Sequence, residues 1–548
     1  MKITLLVSVF NSVTQAYFTY LKREGHSVDV VYARSSKQIK DDIFQFYPDI
    51  ILSPFLKEYI PAEVFNNIPT YVLHPGIIGD RGAYSIDNAI REGKKEWGVV
   101  LLRADEEYDG GDIYADVNFL MRDSYKASIY RNEVFHSALE ALKILLKNLQ
   151  LSSFIPQKQE ATQMHLQLTQ EDREIDWQKD TTEEIIRKIY MSDSHPGVLD
   201  NILGVECYLY GAWYEEKLYA ERPKEILAKR AGAICLSTID GALWITHLKE
   251  KNRFKLPATY VLKERLQGIK EVRLPLIFDK SYKTFYEISC DIVGNRAYLY
   301  FNFHNGAFRA EQCMKLKYAI EYLKDQVDII ILMGGEDFFS NGINLNILED
   351  SKKSGEDGWS NINAINDLIK SILFAENVIT VASLHKNAGA GGLFLATACD
   401  YVVADAHVVL NPHYKTLGLS GSEYHTYTLP KRVGEKLASK LLSECLPVDG
   451  FYAKEIGLVD ELIERDYKEG LEKYLNRLFS DKDWIEDFLW DKEDFLEDNR
   501  EKIEKCRENE IEVMYPEFWD PQSEFHQLRY NFVYKICPIK TPKRLRYA

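Results

Sequence analysis

At 548 residues the chain exceeds what one hydrophobic core organises, and the length predicts roughly two to four domains. An apolar fraction of 46% with 28% charged residues is ordinary globular composition, which excludes a disordered or fibrous protein. The formal charge of −16 argues against a general nucleic-acid binder, whose phosphate contacts need clustered Lys and Arg, but leaves room for small anions at loops and helix N-termini.

Residues 3–10 (ITLLVSVF) read as a buried strand. The apolar run is about seven residues long and meets Asn11 and Ser12 without a cleavage-site pattern, which favours a first strand over a signal peptide. A helix over 14–24, a strand over Val28–Tyr32, a helix over Ile39–Phe46 and a strand over Asp49–Leu52 follow. That alternation predicts a parallel sheet with crossover helices, closed by a helix around 130–149. The loop after the first strand has no glycine, so a dinucleotide fingerprint is absent.

From about residue 169 the pattern changes. LTQEDREIDW leads into a helical stretch, TTEEIIRKIY, and then an SHPG turn. Short strand-like runs follow at Glu206–Tyr210, Ala233–Leu236 and Leu243–Leu248, the last two separated by an Asp240-Gly241 turn. Residues 250–285 are charged and irregular, and the main domain boundary is expected there. A second α/β block begins near 286, with strands at 297–303, 328–332 and 379–384, and with Gly389-Ala390-Gly391-Gly392 opening a helix. The chain ends in amphipathic helices with a charged face.

No apolar stretch reaches the roughly 18 residues that span a bilayer. The eight cysteines (207, 235, 290, 313, 399, 445, 506 and 537) are scattered without a Cys-x-x-Cys pair. Reduced thiols, a cytoplasmic setting, no metal site and no membrane association are therefore expected.

Two groups of residues carry chemistry. In the first, His74 sits just past a strand in TYVLHPGI, before a glycine-rich loop ending at Arg81-Gly82, and YDGGDI presents Asp109 in a turn. A His and an Asp meeting in one cleft would supply a polarising donor and a proton acceptor for acyl transfer, although each alone is ordinary turn chemistry. YPDIILSPFLKEYIP, LHPGIIGDRGAYSI and DEEYDGGDI, followed by HPGVLDNILG, DGALWITHLK and PATYVL, resemble the folate-dependent formyltransferases over roughly residues 1–262. The resemblance implies N10-formyltetrahydrofolate as donor, with His74 and Asp109 in the site. Val72 stands where that family has an asparagine, so one amide donor to a tetrahedral oxyanion is missing, which typically costs about 10²–10³ in rate.

The second group is FFSNGINLNILED with HKNAGAGGLFLATACDYVVADAHVVLNPHYKTLGLSGSEY. In each, a strand meets a glycine turn that opens a helix, leaving backbone N–H groups to point at an anion. The ordered set resembles the enoyl-CoA hydratase/isomerase (crotonase) superfamily over about 290–465. That resemblance implies an oxyanion hole from the N–H groups of Ile343 and Gly391, and coenzyme A binding along Gly342, Gly391 and Gly392. The positions of the two hydratase glutamates hold Phe394 and His413, which argues against hydration. His413, Tyr414 and Glu423 remain near the expected pocket. Tyr414 and Glu423 are either a buried hydrogen-bonded pair or an acid–base pair acting on a thioester.

A formyltransferase half joined to a crotonase half resembles the HypX (HoxX) family of hydrogenase maturation factors. The implied fold is α/β throughout: a formyltransferase-like parallel-sheet domain (1–150), a β-rich subdomain (151–265), a linker (266–285), a crotonase-like domain (286–465) and a helical C-terminal region (466–548). The implied role is to make carbon monoxide for the nickel–iron site, by formyl transfer from N10-formyltetrahydrofolate to coenzyme A and decarbonylation of formyl-CoA. A hydrogenase large subunit or another maturation protein would be the partner. A formyl-CoA synthase or hydrolase releasing formate, and a non-catalytic coenzyme A-binding scaffold, remain open at this point.

Overall fold

The computed structural model describes residues 1–160, 163–165 and 167–546. These residues form two compact units.

The first unit opens with β1 (Lys2–Val7), β2 (Ser27–Tyr32), β3 (Ile50–Ser53), β4 (Thr70–His74), β5 (Asp80–Gly82), β6 (Glu96–Arg103), β7 (Ile113–Leu120) and β8 (Gln163–His165). Its main sheet runs β2-β1-β3-β4-β6-β7; the first four strands are parallel, and β6 and β7 extend the sheet antiparallel. Ile3, Leu5, Leu6 and Val7 are fully buried, as in a strand covered on both faces. Asn11 accepts from Thr14 N and caps the Ser12–Arg23 helix, which therefore starts two residues before the apolar periodicity indicates. Ser35 caps the Ser36–Phe46 helix in the same way. The helix expected over 130–149 divides into a turn at Lys126–Ile129, a π-helical stretch at Tyr130–Val134 and an α-helix at Phe135–Leu149.

The β-rich part contains β9 (Val198–Ile202), β10 (Val205–Glu215), β11 (Ile226–Arg230), β12 (Ala233–Ser237), β13 (Ala242–Glu250) and β14 (Leu256–Pro257), in sheet order β11-β12-β13-β10-β9 with β14 on β13. β10 outruns its expected end because Gly211 (φ +68°) lets the strand pass Thr246, where a Cβ would meet the threonine Oγ1 at 2.0 Å.

The second unit contains β15 (Ile288–Val293), β16 (Arg296–Phe301), β17 (Ala307–Phe308), β18 (Ile329–Gly334), β19 (Gly342–Ile343), β20 (Ile379–Leu384), β21 (Ala388–Gly389), β22 (Tyr401–Asp405), β23 (Val409–Asn411), β24 (Val448–Asp449) and β25 (Glu461–Ile463). Its sheet runs β15-β16-β18-β20-β22-β25, parallel except for β15. Ile329, Ile331, Val381 and Val403 pack against Leu471 and Leu475 of the Tyr467–Leu478 helix and against Phe479 just beyond it. The pairs β17-β19 and β21-β23 lie outside this sheet and carry the two glycine turns. A helix of 38 residues, Lys482–Trp519, dominates the C-terminal region, and among the described residues no helix is long and apolar enough to cross a membrane.

The expected division into successive segments needs two corrections. The stretch expected as a linker over 266–285 is shared out. Residues up to Arg273 and Lys280–Phe285 belong to the first unit, where Phe285 packs on Trp213 and Trp244; Leu274–Asp279 belongs to the second. The chain from Cys537 onward, expected as part of the helical region, belongs to the first unit. There Thr541 Oγ1 accepts from Tyr32 N on the edge strand β2, and Arg546 Nε donates to Asp29 Oδ1 at 2.8 Å. Polar pairing of this kind carries no hydrophobic periodicity, so it leaves no local signal in the sequence.

Candidate functional site

His74 ends β4, and its side chain is only 4% exposed. Val72, two residues earlier and so on the same face, packs against Val100, Leu102 and Ile113 in place of an amide. Beyond His74 the loop is pinned at the Pro75 carbonyl, which accepts from Ser85 Oγ at 2.7 Å and Trp97 Nε1 at 3.0 Å. Asp80 then turns back on the histidine. Its Oδ2 lies 2.7 Å from His74 Nε2, and its Oδ1 lies 2.8 Å from Nε2 of His165 on β8, the strand paired with β5. Gly76 permits this closure, since a Cβ there would stand 2.2 Å from Asp80 Oδ2 and 2.4 Å from His74 Nε2.

Asp109 lies between β6 and β7 with φ +53°, a left-handed conformation that aspartate tolerates better than most side chains. It accepts from Gly82 N at 3.2 Å, and its Oδ2 is 3.4 Å from His74 Nδ1. Arg81 braces the turn through the Tyr108 carbonyl and Glu107. The two residues expected to meet, His74 and Asp109, are therefore together. Both ring nitrogens of His74 therefore face a carboxylate, Nε2 toward Asp80 and Nδ1, at the longer distance, toward Asp109.

In the second unit the glycine turns converge. Gly342 and Ile343 form β19, Gly391 opens the Gly391–Thr397 helix, and a Cβ on Gly342 would lie 3.1 Å from Gly391 N. Gly392 is held against the Ser340 backbone, with 2.2 Å left for a Cβ. Facing them, Tyr414 Oη donates to Glu423 Oε2 at 2.7 Å, and both side chains are buried. Glu423 Oε1 is close enough to Gly391 that a Cβ there would meet it at 2.4 Å. Ser422 donates to the same carboxylate through its N–H, and Asn366 Oδ1 accepts from Glu423 N. Glu423 and Tyr424 have φ of +64° and +54°, a left-handed pair that costs L-residues about 1–2 kcal/mol each. Such strain persists only where surrounding contacts over-determine it.

Phe394, where a hydratase glutamate would stand, stacks on Tyr414 with centroids 5.2 Å apart and also packs on His425. His413 is half-buried, its ring 3.5 Å from Thr416 Oγ1 and its N–H bonded to the Asn411 carbonyl. Burial pushes the Glu423 carboxyl above the ordinary range although Tyr414 and His425 pull it down. Burial, reinforced by the charge of Glu423, pushes the Tyr414 phenol well above its ordinary value. Burial alone would lower His425, but the hydrogen bond and charge of Glu510 outweigh it and raise it. The result is a protonated phenol bonded to a carboxylate of heightened proton affinity, against the Gly391 turn.

A hydrogenase maturation factor HoxX from Bradyrhizobium diazoefficiens is 34% identical over 99% of this chain and 96% of its own length. The chain belongs to the HypX/HoxX family of hydrogenase maturation factors. The structure of HypX from Aquifex aeolicus in complex with tetrahydrofolic acid is similar throughout, with TM-score 0.97 and 40% identity, covering 100% of this chain and 98% of that one. Residues 32–143 match the formyl transferase family, 167–265 the formyl transferase C-terminal domain, and 300–481 the enoyl-CoA hydratase/isomerase family. Methionyl-tRNA formyltransferase from Pseudothermotoga lettingae is 26% identical over 41% of the chain and 72% of its own length.

Sequence reasoning missed Asp80, His165, His425 and Glu510. Asp80 lies within the quoted glycine-rich loop, six residues past His74, and could have been found there. His165 lies 85 residues from Asp80, and Glu510 lies 84 to 86 residues from Thr426 and Tyr424, with no motif to flag either.

Proposed function

We propose that this chain makes carbon monoxide for a nickel–iron hydrogenase in two steps, formyl transfer from N10-formyltetrahydrofolate to the thiol of coenzyme A and then loss of CO from formyl-CoA. Membership of the HypX/HoxX family and the tetrahydrofolate in the Aquifex aeolicus HypX structure support the donor. The cradle at Gly342 and Gly391, where a Cβ would crowd the amides, fits a thioester carbonyl.

In the first step His74 Nδ1 takes the thiol proton as sulfur bonds to the formyl carbon, while Asp80 stabilises the imidazolium through Nε2–H and Asp109 steadies the Nδ1 side. His74 returns the proton to the folate nitrogen as the C–N bond breaks. A thiol nucleophile tolerates Val72, because it attacks well without the missing amide. In the second step the Ile343 and Gly391 N–H groups hold the formyl oxygen. Glu423 Oε1 takes the formyl proton, the C–S bond breaks with its electrons passing to sulfur, and Tyr414 protonates the sulfur and recovers a proton from Glu423. The products are CO and coenzyme A.

The observation that carries this reading is the buried Tyr414–Glu423 bond against the Gly391 turn. The test is product identity. Protein supplied with formyl-labelled folate and coenzyme A should release labelled CO, trapped on reduced haemoglobin; labelled formate alone would overturn the proposal.

A further inference from the structure

We infer that Glu510, on the Lys482–Trp519 helix, is a positioning residue for the CO-releasing site, clamping residues 424–426 so that the Glu423 carboxylate is held against the Gly391 turn. The inference rests on the reading of Tyr414 and Glu423 as the reacting pair.

The His425–Val433 helix begins without a side-chain cap of its own, because its N-cap, Tyr424, is left-handed and makes no capping bond. Uncapped N–H groups in a buried first turn need partners from elsewhere. Glu510 supplies them. Its Oε2 accepts from Tyr424 N at 2.9 Å, its Oε1 accepts from Thr426 N at 2.7 Å and Thr426 Oγ1 at 2.6 Å, and Oε1 lies 3.3 Å from His425 Nδ1. The carboxylate is 3% exposed, and the positive end of the helix favours its charge.

The bonds to Tyr424, His425 and Thr426 immediately follow Glu423, whose own φ is +64°. Without the clamp, residues 423 and 424 can relax toward negative φ. That would swing the Glu423 side chain off the Gly391 turn and away from Tyr414. The His425 ring, 5.3 Å from the Tyr414 ring and 5.4 Å from Phe394, would lose its place in the same movement. A second carboxylate of the same helix grips the other end of this loop: Glu517 accepts from Ser420 N at 2.9 and 3.0 Å. Both carboxylates lie beyond residue 481, where the match to the enoyl-CoA hydratase/isomerase family ends. The C-terminal helix thus contributes to this site a support that the matched domain does not contain.

The test is CO release from added formyl-CoA by the full chain, comparing wild type, Glu423→Gln and Glu510→Gln. Glutamine keeps the shape but turns one acceptor into a donor, so it cannot serve both backbone N–H groups. A roughly tenfold or greater fall in kcat with KM within about twofold is expected for Glu510→Gln, the signature of lost transition-state geometry rather than lost binding. The denaturant midpoint of the second unit's transition, unchanged from wild type, reports that the variant has folded where Glu510 acts. Unchanged kcat in Glu510→Gln with Glu423→Gln inactive overturns the positioning role alone. Full activity in Glu423→Gln overturns the reading of the site, and the inference with it. Should Glu510→Gln not fold, Glu510→Asp retracts the charge by one methylene, and its kcat decides in the same way: reduced supports the clamp, unchanged overturns it.

Discussion

At the scale of single residues, the decisive pairings join groups of opposite task. Tyr414 stays protonated throughout the working range because burial and the neighbouring carboxylate oppose its ionisation, whereas Glu423 must be ionised to accept a proton. Tyr414→Phe keeps the stacking on Phe394 but removes the proposed donor to sulfur. CO release from formyl-CoA should then fall by roughly 10²-fold or more while formyl transfer is unchanged, as labelled-CO and formyl-CoA assays would read. The pH dependence follows from the same pair. Since the Glu423 pKa is raised, the carboxylate is lost as pH falls through that raised value, and CO release should show an acid limb above the ordinary carboxylate value of about 4.3. No alkaline limb should come from Tyr414 below about pH 10. A pH–rate profile without the acid limb would remove Glu423 as the base.

At the scale of elements, the strands and helices that the sequence periodicities did locate lie within about five residues of their expected bounds, because burial on a sheet or helix face repeats locally. Boundaries moved where a single polar or glycine residue intervened, as with Asn11 at a helix start and Gly211 within β10. The chain after residue 536 is the exception to periodicity. Leu545 is fully buried, and Arg546 pairs with Asp29, itself fully buried on β2, and with Asp42. Removing one partner of such a pair leaves a charge without compensation, which costs more than the bond is worth. Arg546→Ala should destabilise the first unit by about 3 kcal/mol, seen as a lower denaturant midpoint for that unit's transition with the second unit's transition unchanged. An unaltered midpoint would make the pair incidental.

At the scale of the whole molecule, each unit brings together its own candidate groups, His74 with Asp80 and Asp109 in one, Tyr414 with Glu423 and the glycine turns in the other. Their chemistries should separate by mutation. His74→Ala should stop labelled CO formation from formyl-folate yet still release CO from added formyl-CoA; loss on both substrates would point to a single shared chemistry. The sequence by itself determined the two parent families, the glycine turns, and His74, Asp109, Tyr414 and Glu423 as candidates, because each motif is a contiguous stretch whose local conformation its own residues dictate. Only the tertiary structure decided that Asp80 bridges His74 and His165, that Glu510 caps the loop behind Glu423, that His413 lies beside Thr416, and that residues 541 and 546 return to β2. Those are polar contacts between residues tens to hundreds of positions apart. Nothing in a local pattern encodes them, since they depend on the path the chain takes once its apolar faces have been buried.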